Sequence, residues 1–226
     1  MNNEDAVSRE AQQWDEVKNM IGNERLELGA YFSFIARKTP RRLLHLLSYY
    51  KFAARMIGAG GRTLDVGCSE GLGTIILAEQ ARECIGVDLD RAAIDHANAT
   101  IATDKLSFQC VDALEVTLGR FDAVTSFDVI EHIFPDNAAR FLARLTDNLN
   151  DDGILIIGTP NITSDQYASA HTKEGHVNLY SQDRLRGALA EHFARVFMFS
   201  ANDEMVHTGF GPMAHYLIGL GVVPKR

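Results

Sequence analysis

Residues 63–73 read Thr-Leu-Asp-Val-Gly-Cys-Ser-Glu-Gly-Leu-Gly. A short apolar run closes on Asp65, the glycines Gly67, Gly71 and Gly73 follow, and a helical pattern begins behind them. Glycine permits positive φ and close approach of a backbone to a ligand. The stretch therefore reads as a strand, a tight turn and a helix built around a bound molecule. Roughly 20 residues on, Ile-Gly-Val-Asp-Leu-Asp ends a second strand on Asp88, about where an acid meets ribose hydroxyls in nucleotide-binding sheets. The glycine order is Gly-x-Ser-x-Gly-x-Gly, with Ser69 in second place, and so departs from the dinucleotide Gly-x-Gly-x-x-Gly pattern.

Working outward, apolar runs predict strands at 62–66, 83–87, 106–110, 121–126, 153–158, 194–200 and 213–220. Helical segments fall between them at 71–81, 91–103, 137–149 and 182–191. Phe141, Leu142, Leu145 and Leu149 carry the helical period, with Asp136 in place for an N-cap. Strands alternating with helices at this spacing predict an α/β fold with a doubly wound parallel sheet. The last two strands are separated only by Asn202–Gly211. They should form a hairpin, with one edge strand antiparallel. Residues 1–58 read as helical: Trp14, Val17 and Ile21 share one face, and Thr39-Pro40 divides segments 24–38 and 41–57. The expected organisation is an N-terminal helical cap or lid, 1–58, followed by the sheet domain, 59–226.

Composition narrows the classes. The chain has 226 residues, 46% hydrophobic and 23% charged, as in an ordinary globular domain with a sizeable core. No run reaches the ~18–20 apolar residues that cross a bilayer, and the opening Met-Asn-Asn-Glu-Asp has no secretory h-region. A net charge of −8 gives no long-range attraction for nucleic acid. Cys68, Cys84 and Cys110 are odd in number, lack paired spacing and lie in or beside predicted strands. Buried reduced thiols and a cytoplasmic setting are the expectation. The expected partner is a small-molecule acceptor, with no nucleic acid and no membrane; the oligomeric state is left open, a homodimer included.

The ordered series Leu-Asp-Val-Gly-Cys, Gly-Val-Asp, Val-Asp-Ala, Phe-Asp-Val-Ile-Glu-His and Gly-Ile-Leu-Ile-Ile-Gly-Thr-Pro-Asn spans residues 63–161. It resembles the class I, Rossmann-like S-adenosylmethionine (SAM) methyltransferases, in the branch of small-molecule O-methyltransferases of ubiquinone biosynthesis and of sugar modification. The resemblance covers about residues 60–200 and implies a seven-stranded, mostly parallel sheet whose last strand is antiparallel. It also implies SAM as cofactor. Asp65 would meet the methionine ammonium, and the backbone of Gly67, Cys68, Ser69, Gly71 and Gly73 would face the carboxylate. Asp88 would hold the ribose, Leu89 would flank the adenine, and Asp112-Ala113 would hold its amino group. Phe127 and Asp128 would stand at the mouth. Methyltransferases commonly carry glycine where this chain has Ser69, a small replacement.

An oxygen acceptor needs a base near working pH. His132, following Glu131 after the fourth strand, is the candidate; the alternative is that Glu-His only orders the loop. Asp128, Glu131 and His132 also have i, i+3, i+4 spacing. With His176 they are similar to the metal site of methyltransferases that modify the 2′-hydroxyl at small-RNA 3′ ends. The match is imperfect, because Asp128 stands where those enzymes usually have glutamate. A divalent metal is therefore an alternative, not the favoured reading. The long connection Thr159–Tyr180 offers Asn161, His171, His176 and Tyr180 as a substrate wall. Arg41 and Arg42, in a basic run with Arg37 and Lys38, are either a solvated helix start or a site for an anionic group. Three functions remain: methyl transfer to a hydroxyl of a small polar metabolite (a sugar or anionic conjugate), metal-dependent methylation of an RNA end or diol, and a non-catalytic SAM-binding partner.

Overall fold

The computed structural model describes residues 8–23, 25–115 and 117–225. The acidic N-terminal pentapeptide lies outside the described residues, as does Glu24 at the head of the expected 24–38 segment.

Three helices precede the sheet. α1 (Arg9–Ile21) starts where Ser8 Oγ accepts from the Ala11 N–H and stops at Gly22, whose φ is 79°. No residue of α1 is buried, and Trp14 is 57% exposed. Trp14 and Ile21, on the apolar face expected to pack, are thus on the surface; a helical period shows that a face exists, not what it meets. α2 (Ala30–Lys38) buries Phe32 and Ile35. α3 (Pro40–Met56) opens on Pro40, where the missing N–H leaves no helical bond unmade. It buries Tyr49, Tyr50, Ala53 and Ala54.

The expected alternation follows: β1 (Arg62–Val66), α4 (Leu72–Gln80), β2 (Glu83–Asp88), α5 (Arg91–Thr100), β3 (Leu106–Cys110) and β4 (Phe121–Phe127). Then come α6 (Ala138–Asp147), β5 (Leu149–Pro160), α7 (Ala170–Gly175), α8 (Gln182–His192), β6 (Phe193–Ala201), β7 (Val206–His207) and β8 (Tyr216–Pro224). β1 and β2 are almost continuously buried, as parallel strands covered on both faces must be. On one face Tyr50, Ala53, Leu77, Ile94 and Ala97 pack against Phe108 and Ile156. On the other, Phe141, Leu145, Leu185 and Leu189 meet Leu64, Val66 and Leu155. The two layers of helices confirm the doubly wound α/β expectation.

The sheet order is β3-β2-β1-β4-β5-β8-β6-β7. It has eight strands rather than seven, because the 202–211 connection itself contributes the two-residue β7. The last strand is antiparallel, as expected, but it is no edge strand. β8 is inserted between β5 and β6 and runs antiparallel to both. The edge is β7. Two local boundaries also differ. Asn137, not Asp136, occupies the α6 N-cap, with Asp136 in a preceding 3-10 turn. Leu149 belongs to β5, where it pairs with Phe121 across an irregularity in the register.

Candidate active site

β1 pairs in parallel with β2 on one side and β4 on the other, so strand order reverses at β1. Open α/β sheets bind ligands beyond the carboxyl ends of the strands at such a point. A cavity of about 470 Å³ lies there, within the usual range for small-molecule sites.

The glycine loop forms its floor. Gly67, Ser69 and Gly71 take φ of 85°, 50° and 81°. A Cβ on Gly67 would collide with the Val129 side chain, so glycine lets the loop close onto the segment after β4. Asp88 anchors the turn: its Oδ2 accepts the Ser69 N–H and its Oδ1 the Asp90 N–H, each at 2.9 Å. The cavity brings together Gly67, Cys68 and Ser69 with Asp88 and Leu89. Asp112, Ala113, Phe127 and Asp128 complete the expected set around it.

Asp65, Gly71 and Gly73 do not line the cavity. Asp65 is fully buried. Its Oδ2 accepts from Thr74 Oγ1 at 2.7 Å and its Oδ1 from Thr125 Oγ1 at 2.8 Å. It ties β1, α4 and β4 together instead of facing a ligand ammonium. Burial raises its pKa to about 6, with the two threonine hydroxyls pulling the other way. Gly71 and Gly73 are packing glycines: a Cβ on either would enter the ring of Phe108 or Tyr50.

Sequence reasoning missed part of the wall. Tyr31 and Phe32 from α2, and Leu46 and Tyr50 from α3, line the same cavity. It also missed Glu70, which is buried in the glycine loop and accepts the N–H groups of Tyr31 and Phe32 at 2.8 and 3.0 Å. A signal existed: a carboxylate in a loop expected to face another carboxylate must point elsewhere.

After β4 the chain takes a left-handed residue, Asp128 (φ 55°), and a short 3-10 turn, Ile130–His132. Glu131 is fully buried. Its Oε2 accepts from Thr159 Oγ1 at 3.0 Å, while Oε1 has no hydrogen-bond partner among the described residues. Burial, then the nearby Asp128 charge, pushes the Glu131 pKa well up. Burial likewise raises Asp128, opposed first by the Tyr216 hydroxyl and then by the Arg42 and His132 charges. His132 Nδ1 lies 2.9 Å from the Gly175 carbonyl. A carbonyl only accepts, so this geometry assigns the proton to Nδ1 and leaves Nε2 with a free lone pair. The His176 ring centroid is 5.0 Å from that of His132, and burial lowers the His176 pKa. One ligand atom from each of Glu131, His132 and His176 falls within 4.8 Å of the others. Asp128 is not in this group.

A second cavity of about 390 Å³ adjoins the first, sharing Leu46 and Asp128. Arg42, His45 and Tyr49 of α3 line it, with His176, His215 and Tyr216 opposite. Tyr49 and Tyr216 stack at 4.0 Å, and the buried Tyr216 hydroxyl faces the Asp128 carboxylate. Of the expected substrate residues, Arg42 and His176 reach this cavity. Arg41 and His171 are exposed and line neither. Asn161 is buried and donates to the Gly211 and Ala214 carbonyls, holding the turn before β8. Tyr180 is buried in the core under the Arg184 guanidinium. Asn161 and Tyr180 are structural because the long connection folds back onto the sheet, where Asn161 bridges to Tyr180.

A doubly wound sheet with a glycine turn at its switch point and an acid closing the second strand defines a nucleoside-type cofactor binder. Comparison with known proteins makes that class specific. A family model described as a methyltransferase domain matches residues 35–192, and the chain belongs to that family. A probable SAM-dependent methyltransferase of Mycolicibacterium smegmatis is 32% identical over 117 residues, 52% of this chain and 44% of that protein. A ubiquinone biosynthesis O-methyltransferase of Psychrobacter arcticus is 34% identical over 124 residues, 52% of this chain and 48% of that protein. The chain thus spans about half the length of the curated relatives it matches. Among solved structures, the N-methyltransferase NodS of Bradyrhizobium japonicum, bound to S-adenosylhomocysteine, superposes with a TM-score of 0.60 at 18% identity. That match covers 84% of this chain and 91% of NodS. Among the described residues no helix is long and apolar enough to cross a membrane.

The cavity's chemistry fits SAM. The Asp88 carboxylate lines it with lone pairs to spare for ribose hydroxyls, and Leu89 and Ala113 provide an apolar wall for a flat base. Asp88→Ala should weaken S-adenosylhomocysteine binding by about 1–3 kcal/mol through lost charged hydrogen bonds. Unchanged calorimetric affinity would remove Asp88 from the site. A pH effect follows from Asp65. Its folded pKa is raised to about 6, so its contribution to stability is complete below the unfolded value of ~4 and is lost as pH rises through 6. The urea midpoint of the natural protein should fall across pH 4–6 relative to Asp65→Asn. A constant difference between the two would refute the assignment.

Proposed function

We propose that this chain binds SAM in the first cavity and transfers its methyl group to a hydroxyl of a small polar metabolite held in the second, with His132 as general base. The observation supporting this reading is the junction of the two cavities. Asp128 lines both, His132 lines the first, and His176, against the His132 ring, lines the second. SAM supplies the electrophilic methyl on a sulfonium. The protein's task is alignment and removal of the hydroxyl proton. His132 Nε2 takes that proton, and the Gly175 carbonyl holds the imidazole by its other nitrogen. Arg42, from the far wall, favours an acceptor with an anionic group, such as a sugar phosphate or acid.

A second reading is favoured by the orphaned Glu131 Oε1 and the compact Glu131, His132, His176 cluster. One carboxylate and two imidazoles suit a divalent metal, which would lower the pKa of a diol or RNA-terminal hydroxyl. Metal would require Glu131 ionised and both imidazoles free to bind. The Gly175 contact leaves His132 Nε2 free for either role, but the raised Glu131 pKa works against the ionised ligand a metal needs, so the metal-free base is the preferred reading.

S-adenosylhomocysteine release over a panel of sugars, sugar phosphates and dihydroxybenzoates tests the scheme. His132→Ala should lower turnover by roughly 10²–10⁴. No release with any acceptor would favour a non-catalytic SAM-binding role, and full activity in His132→Ala would discard the base. Titration of Mn²⁺ into the protein saturated with S-adenosylhomocysteine separates the two readings. A saturable site that disappears in Glu131→Ala would install the metal.

A further inference from the structure

We propose that Glu70 is a positioning residue that latches α2 over the cofactor cavity, so that the loop beneath the cofactor also seats the lid above it. The proposal rests on the cofactor reading given above.

α2 has nine residues, and its N-cap is Gly29, which has no side chain to cap it. The first N–H groups of a helix have no partner within it and need one from outside. Here both come from a distant part of the chain. Glu70 Oε1 accepts the Tyr31 N–H and Oε2 the Phe32 N–H. A carboxylate at this end also meets the positive end of the helix dipole. The fit depends on Gly29, because a Cβ there would lie inside the Glu70 carboxylate. Glycine at that position needs no unusual dihedral, since φ is −66° and ψ is −177°. Its role is the space it leaves.

What the latch holds is part of the site. Tyr31 and Phe32, whose N–H groups it takes, both line the cofactor cavity. The stretch is also held by the buried side chains of Phe32 and Ile35 and by the Glu27 carbonyl, which lies 3.0 Å from His96 Nε2 on α5. The latch is also wired to the cofactor side. Glu70 sits between Ser69 and Gly71, both left-handed, and the Ser69 N–H is fixed by Asp88 Oδ2. A continuous path therefore runs from Asp88 through the Ser69 amide and Glu70 to the start of α2. A cofactor whose ribose engages Asp88 steadies the loop, and the loop steadies the lid. Release of the cofactor then requires α2 to lift, at the cost of two hydrogen bonds to a charged acceptor.

The test uses the full chain and two variants that attack the contact from opposite sides. Glu70→Ala removes the acceptor, and Gly29→Ala forces the helix start away from it without touching the loop. Dissociation of S-adenosylhomocysteine is followed by stopped-flow, and trypsin cleavage at the exposed Arg25, Arg37 and Lys38 is followed with and without ligand. Both variants should release the ligand faster by on the order of tenfold, the size of a lost helix cap. Both should also be cleaved in 25–38 even when ligand is bound, while the melting temperature of the ligand-free protein moves little. Unchanged dissociation in both variants would overturn the latch, as would a loss of affinity that merely tracks a fall in melting temperature. If Glu70→Ala does not fold, Gly29→Ala alone decides. Natural protein that fails to bind S-adenosylhomocysteine would sink the cofactor reading itself, a different result from variants that bind and release it normally.

Discussion

The Asp65 carboxylate sits fully buried at the seam between β1 and β4, held by the hydroxyls of Thr74 and Thr125. Ionising a carboxylate in such surroundings is costly unless it is well hydrogen-bonded. The two threonines offset part of that cost, and in doing so they fix three elements against one another. β1 delivers the glycine loop, α4 starts beyond it, and β4 delivers Asp128 and the 3-10 turn with His132. The relative placement of the glycine loop and the turn that carries His132 therefore depends on this one buried group. Asp88 repeats the device nearer the surface, taking the Ser69 and Asp90 amides to hold the loop in its left-handed turns.

Much of this was legible in the sequence. The five strand ends from Asp65 to Pro160 announce themselves, because parallel strands buried on both faces read as short apolar runs and the turns after them carry fixed residue types. The cavity accordingly collects Ser69, Asp88, Asp112 and Asp128, the residues that strand ends together with the family resemblance point to. What failed has a common physical cause. Asp65, Asn161 and Tyr180 read as ligand contacts because polar groups near a site look alike in sequence, whether they face the ligand or brace the backbone. Only burial and hydrogen-bond partners tell the two apart. Glu70 and Gly29 were invisible for the opposite reason. Their contact spans about forty residues, and neither belongs to a periodic pattern.

The helices before the sheet divide in the same way. α3 packs into the core through Tyr50 and Ala53, and the family match already begins at residue 35, inside α2. α2 and α3 thus supply walls to both cavities, Tyr31 and Phe32 to one and Arg42 and His45 to the other. α1, with Trp14 exposed, supplies none. The second cavity is built from elements remote in sequence, α3, the 161–180 connection and the start of β8. No compact motif could have predicted it.

The insertion of β8 between β5 and β6 bears on how the protein is made. Synthesis on the ribosome is vectorial, and a strand can pair only with neighbours that have already emerged. β6 has no place in the sheet until its neighbour β8 arrives, since it bonds to β8 and not to β5. A nascent chain that has exposed β1 to β5 can close the cofactor floor. It must then hold the β5 edge unpaired until Tyr216–Pro224 threads in and carries β6 with it. Tyr216 and His215 enter on that same strand start. The second cavity, which both residues line, is therefore incomplete until β8 has joined the sheet, whereas the first is lined entirely by residues that precede α6.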